Sequence, residues 1–513
     1  MTRAFRTGLI LAMVLAVASH IGATGAEEAA DPEQILRFAL SGNPDTLDPH
    51  ATSGTFTFQT IRSFYDTLVE PDRNGVLVPA LAESWTVSRE NLVWQFSLRA
   101  GVTFHNGDPL TSADVKSTIE RLVSPEMNSG KAGEFSAIES ISTPDDHTVV
   151  FTLSEPTAAL LSSLASGWGA ILPKSLIDAG HDFAKEPVGT GPFVFVEWIQ
   201  DNRIVMERNP SYWMAGYPKI DGVVVNIIPE DAVMVQGLIS GDLDAVEAVR
   251  AQDLPLLDAD PNISVQRGLS TLVEVLAMNT TREPLSNLAV RRAVAQAIDK
   301  QAVMDIAYGG GEVISTFMDY GNPYYVDFSD VLPYDTAAAR AALERAGYDG
   351  GEPLVMKVPE IYDAHVKAAE MYQEMLEAVG MNVELQIVDW STWLGEVYGG
   401  DRDYDFTVIG HTGKLDPSGR LRGSADTAYG SGTNYVQWVN PTAAEAIGEA
   451  ARVVDTEERK RLYAIALGEM AREVPHVYVG SNYRYLAMRS NVTGLHQDTQ
   501  LDTFDFRYVE IGE

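Results

Sequence analysis

The segment Gly410-His411-Thr412-Gly413-Lys414-Leu415-Asp416-Pro417 places an imidazole, an ammonium and a carboxylate within six residues of one glycine-bearing loop. A lysine ammonium at such a position attracts an anion, and an aspartate attracts an amine. Asn434, Tyr435 and Trp438 precede Asn440-Pro441 in a second polar stretch, where tyrosine and tryptophan can bury area and still offer a polar tip. Thr52-Ser53-Gly54-Thr55 is a third, and its glycine permits close backbone approach. These are groups that hold a solute rather than convert one. The sequence has no G-x-S-x-G elbow, H-E-x-x-H pair, phosphate-binding P-loop or G-x-G-x-x-G turn. Cysteine is absent, so no thiol can act as nucleophile, and the nine histidines are scattered without a pair at metal-ligand spacing. Scattered serines and aspartates could still meet in space, so an exported hydrolase stands as the rival class.

Each polar segment has a bland reading beside the binding one. Asp416 before Pro417 can initiate a turn, Lys414 can be a solvated surface charge, and His411 a satisfied wall residue. Trp390 and Trp393 stand at helical spacing, which fits packing better than solute stacking. Trp168, flanked by Gly167 and Gly169, reads as an exposed aromatic.

The elements that must position these groups change character along the chain. Residues 35–40 read as a strand and 61–69 as a helix. Leu92, Trp94, Phe96 and Leu98 alternate, as a half-buried strand does. Thr111 starts a helix to about Leu122, and residues 193–208 form a hairpin about Gln200-Asp201-Asn202. Residues 223–228 are a strand, followed by a helix from Asp231 to Ser240 that Gly241 ends. Beyond Asn279 the pattern becomes helix and strand by turns. Ser286 caps a helix with Ala289, Ala293 and Ala297 beside Val290, Val294 and Ile298, and Asp335–Ala346 is a second helix. Strands at 354–358, at Val383–Ile387 and at 404–410 are separated by helices at 364–379 and Trp390–Tyr398, which implies a mostly parallel sheet with crossovers.

The chain has 513 residues, too many for one core, with 45% hydrophobic content. Arg3 and Arg6 precede the apolar run Leu9–Ala18, which is too short to span a bilayer and reads as a secretory signal cut after Ala26. Without a cysteine the exported chain cannot carry a lipid anchor, so the periplasm is the expected compartment. Removal of the signal leaves 35 basic and 72 acidic residues, a net charge near −37, which disfavours nucleic acid and anionic membranes as partners.

A further set of segments carries a resemblance. DTLDPH (45–50) with TSGT (52–55), YDTLVEPD (65–72), LVPALAESWTVS (77–88) and WQFSLRAGVTFHNGDPLTSADV (94–115) come in order. VGTGPFVFVEW (188–198), ERNPSYW (207–213), NTTREPLSNLAVRRAVAQAIDK (279–300) and the C-terminal block 440–475 follow. Together they resemble the family 5 extracellular solute-binding proteins, which serve ABC importers of dipeptides, oligopeptides, nickel complexes and glutathione. The resemblance implies an α/β, two-lobed periplasmic-binding-protein fold with an extra subdomain in the first lobe, of the large cluster C type. It places lobe I at 27–52, 189–279 and 490–513, the extra subdomain at 53–188 and lobe II at 280–489. It implies a monomer without cofactor or metal that captures a solute between its lobes and delivers it to permease subunits in the inner membrane. It also implies that Ser53, Gly54 and Thr55 meet the solute through their backbone. Dipeptide binders in this family hold the solute's amine with an Asp where Lys414 stands here, and its carboxylate with an Arg just past the strand that ends here at Val358-Pro359-Glu360. The reversed and missing charges point away from a free dipeptide and toward a peptide or small anionic peptide-like solute. An organic acid or a metal chelate is the alternative. Asp416 stays open as an amine anchor, and His411, Lys414, Asn434, Tyr435 and Trp438 complete the expected site.

Overall fold

The computed structural model describes residues 34–512 apart from 53, 74, 248, 400–401, 413–415, 427–433 and 499–502. The expected signal segment therefore lies outside the described residues. No helix among those described is long and apolar enough to cross a membrane.

One mixed twelve-stranded sheet runs through the molecule, and a single strand joins its halves. That strand, His476–Arg489, is fourteen residues long. Its first part pairs antiparallel with Val273–Met278 and Gly311–Val313, and its second part with Ile263–Leu269 and Ala245–Val246. The two ends of one strand thus belong to two different cores. On the lobe I side the sheet continues through Ile35–Leu40, Gly222–Ile227 and the hairpin Phe193–Ile199 with Arg203–Arg208. Phe38, Phe193, Phe504 and Phe506 fill the core beneath it. On the lobe II side Phe406–His411, Leu354–Pro359 and Val383–Val388 run parallel to one another. The central strand Val273–Met278 is antiparallel to Phe406–His411. The expected mostly parallel sheet is therefore limited to three strands. Their helix Asp363–Ala378 buries Ala368, Ala369, Tyr372 and Leu376 on one stripe, at the three- and four-residue steps that helix geometry requires.

A separate four-stranded antiparallel sheet spans Ala82–Leu153. Trp94, Phe96 and Phe151 are fully buried in its own core. The helix Ser112–Val123 packs on it, closed at its start by reciprocal hydrogen bonds between Thr111 and Asp114.

Three local expectations shift. The helix expected at 61–69 is found at Thr55–Ile61. Beyond it the backbone carbonyls of Ser63 and Phe64 accept from Phe193 and Gly191, which holds the chain out of a helix. A Cβ at Gly191 or Gly189 would collide with the Phe64 backbone, so this join requires glycine. The helix expected from Ser286 runs Leu288–Ala297, and Asn287 rather than Ser286 caps it; Ala289 is exposed while Val290, Ala293, Val294 and Ala297 are buried. Trp390–Trp393 is α-helical but widens into a π-helical turn at Leu394–Gly399.

Candidate functional site

A cavity of about 1250 Å³ opens between the two lobes. It is walled by both, and Thr271, Leu272 and Arg484 line it where the chain passes between the lobes.

Lobe II supplies aromatic and imidazole groups. His411 ends the strand Phe406–His411 and His476 begins the long joining strand. The Tyr435 hydroxyl lies between them, 2.8 Å from His411 Nε2 and 3.0 Å from His476 Nε2. With a single proton it donates to one ring and accepts N–H from the other. Burial pushes His476 down to about 3 and His411 well below the usual imidazole range, so both rings are neutral at physiological pH. Phe317 stacks on His476 and meets His411 edge-on, each at a centroid distance of 4.9 Å. Behind Tyr435 stand Tyr398 and then Trp393, in stacked contact at 5.3 and 5.8 Å.

Arg420 completes this wall. It sits in the short helix Pro417–Leu421, and its Nη2 donates to the backbone carbonyls of Thr271 (3.0 Å) and Thr412 (2.9 Å). Its guanidinium carbon lies 5.7 Å from the centre of the Phe317 ring. Nη1 is closed to water and has no hydrogen-bond partner among the described residues.

Lobe I presents paired charges instead. Arg507 contacts Glu70 at 2.8 Å and Asp505 at 2.6 Å. Arg62 approaches the same two carboxylates at 3.7 Å and donates to Thr503. Burial alone would raise the Asp505 carboxyl, but Arg507 and Arg62 outweigh it and hold it down to about 2. Asp66 is buried and accepts from Thr190, Tyr212 and Trp213; burial pushes its carboxyl up. Trp168 packs edge-on against Phe58 at 4.6 Å, with the Lys131 ammonium 4.8 Å from its ring.

The expected site residues are placed as follows. His411 and Tyr435 line the cavity in direct contact. Thr55 lines it from lobe I at the first turn of its helix. Gly54 precedes that helix, and its N–H donates to Thr52 Oγ1, while the Thr52 carbonyl accepts from the Trp168 indole. Asn434 lines the cavity, but its side chain is spent on the Trp438 backbone, closing the turn at 434–438. Trp438 is buried and donates its indole N–H to Glu473 at 2.7 Å. Asp416 touches the cavity edge yet caps the helix Pro417–Leu421 and pairs with Arg459 at 2.6 Å, both side chains buried. Its carboxylate is thereby occupied within lobe II. Ser53 and Lys414 lie outside the described residues.

Sequence reasoning missed Phe317, Arg420 and His476, and the Arg62–Glu70–Asp505–Arg507 network. Arg420 stands three residues past Pro417 in the singled-out loop, which was a usable signal. The others come from distant segments joined only by the fold. Among the described residues no three His, Asp or Glu side chains converge as a metal site.

Residues 76–431 match the model of "Bacterial extracellular solute-binding proteins, family 5 Middle". The chain is 30% identical over 492 residues to di/tripeptide-binding protein 1 of Pseudomonas aeruginosa, covering 89% of this chain and 90% of that protein. It is 26% identical to the glutathione-binding protein GsiB of Pectobacterium atrosepticum, covering 89% and 90%. Among solved structures, AgaA of A. tumefaciens in complex with agropinic acid is 28% identical with a TM-score of 0.73, covering 93% of this chain and 99% of AgaA. HbpA2 of Haemophilus parasuis, at 24% identity and TM-score 0.84 over 93% and 100%, shares the fold. The matched length, the two-lobed sheet and the cleft agree, and the chain belongs to the family 5 bacterial extracellular solute-binding proteins.

Proposed function

We propose that this chain captures a peptide or small anionic peptide-like solute between its lobes and delivers it to the permease subunits of an ABC importer, as a periplasmic monomer and without turnover. One observation carries the reading: the cavity of about 1250 Å³ is walled by both lobes and by the segments that pass between them. A solute seated there touches both walls, so binding favours the closed arrangement through contacts that the open one lacks. The size suits a few residues of peptide, and the solutes for which relatives are named are of that scale: di- and tripeptides, glutathione and agropinic acid. Within this reading, Thr55 on lobe I and His411 and Tyr435 on lobe II, which line the same cavity, meet the solute, with the Gly54 backbone beside Thr55 and the Lys414 ammonium as further proposed contacts.

The test is mass spectrometry of solute released from the purified protein, followed by solution scattering with that solute restored. A bound acid or peptide and a smaller radius of gyration are expected. No carried solute together with no compaction by any nutrient tried defeats the proposal, and a chemically altered product on incubation would favour a hydrolase.

A further inference from the structure

The structure assigns Arg420 as the lobe II anchor for a carboxylate of the captured solute, a role that rests on the capture reading above and narrows it to acids. Four observations converge on this residue. It lines the cavity. Its Nη2 is tied to the Thr271 and Thr412 carbonyls, so the planar guanidinium is held in place and Nη1 is left to donate. Its Nη1 is buried and has no hydrogen-bond partner among the described residues. A charged donor left in that condition costs free energy, and an acceptor arriving with the solute removes the cost. The guanidinium also lies over the Phe317 ring, which offers an apolar face beside the charge.

The surroundings give Nη1 no hydrogen-bond acceptor among the described residues. His411, Tyr435 and His476 are uncharged at neutral pH. Asp416, four residues away, is paired with Arg459. Asp319 acts on Arg420 through space, but burial outweighs it and brings the guanidinium down to about 10, still protonated at neutral pH. Across the cleft, Glu70 and Asp505 are held by Arg507 and Arg62. A carboxylate fits this vacancy, because its oxygen can accept from the Nη1 N–H groups in a charge-assisted hydrogen bond. The solute class is therefore a small carboxylic acid, free peptide C-termini included, with an apolar portion to lie against Phe317.

Titration calorimetry with glutathione, Ala-Ala, Ala-Ala-Ala and succinate, each peptide paired with its C-terminal amide, tests the anchor. At least one acid should bind the wild-type protein, and its amide should bind roughly ten- to a hundredfold more weakly, the worth of a charged hydrogen bond. R420Q should lose a similar factor toward the acid, and R420K, which keeps the charge but not the Nη2 ties to Thr271 and Thr412 that hold it in place, should fall between. Melting of the solute-free variants checks that each is folded; the acid–amide comparison on wild type needs no variant. R420Q binding the acid within threefold of wild type, or amides binding as well as acids, overturns the assignment. An uncharged or cationic solute released from the purified protein overturns the anchor and leaves capture intact. Neither a carried solute nor binding of any probe removes capture, and the anchor with it.

Discussion

The two walls of the cleft handle charge in opposite ways. On lobe I, Arg62, Glu70, Asp505 and Arg507 neutralise one another within a few ångströms. On lobe II, Arg420 lies among neutral rings with one nitrogen unpartnered among the described residues. A closed network has little left to offer a solute, so it sets the shape of the cleft and stays the same whatever enters. A cation with an unmet donor has a preference, so it selects. The chain's formal charge of −35 predicts neither wall, because most of it is spread over solvated surface.

The comparison breaks most visibly in stability. Asp505→Asn removes one carboxylate from Arg507, whose side chain is only 5% exposed. Glu70 still pairs with Arg507, but the two arginines are then one carboxylate short, and losing one partner of a buried pair costs up to about 3–5 kcal/mol. Urea denaturation of the solute-free protein should show that loss for Asp505→Asn and a much smaller one for Arg420→Gln. Equal losses would mean that both walls are structural and that the contrast between them is false.

Acid should weaken both walls by a shared route. Burial pushes His50 and His476 down to about 3 and His105 down to about 4. Their unfolded values lie near 6.5, so below that pH the unfolded chain binds protons that the folded one refuses. Stability is thus full above about pH 6.5 and falls as pH drops toward the folded values, by about 2 kcal/mol per group at pH 5. Thermal melts between pH 7.5 and 5 should show this fall, and His105→Gln should lessen it. A melting temperature flat to pH 5 would mean that these imidazoles gain protons in place. Solute affinity should hardly change between pH 7 and 8, since the wall's rings are already neutral there.

The fold was legible wherever short-range pattern decided it. The hairpin Phe193–Arg208, the alternating strand Val93–Leu98 and the helix after Thr111 stand within a residue or two of expectation. The helix at Thr55–Ile61 was not, because a distant Gly-rich segment claims the carbonyls of Ser63 and Phe64. The antiparallel central strand Val273–Met278 was hidden for a similar reason: its partners lie about 130 and 200 residues away, and periodicity carries no record of direction. In the site, loop chemistry pointed to His411 and Tyr435, which do meet. It could not separate Asp416, committed to Arg459 forty-three residues on, from Arg420, which is not so committed. Charge type is written in the sequence, but whether a charge is already paired is decided by folding.

The smallest effect concerns the Tyr435 hydroxyl, and it separates a residue that shapes the wall from one that reads the solute. Tyr435→Phe keeps the ring against Tyr398 and removes only the oxygen between His411 and His476. One imidazole then loses an acceptor and the other a donor, His476 buried and His411 half-buried, at a net cost of about 1–2 kcal/mol in stability. If the hydroxyl serves the two rings, calorimetry with whichever acid binds should show at most a threefold loss of affinity in this variant. A loss of affinity as large as that of Arg420→Gln would place the phenol on the solute, and the lobe II wall would then select with two groups. Urea denaturation and calorimetry on the same preparation decide between these outcomes, because a positioning role moves the first and a contact role moves the second.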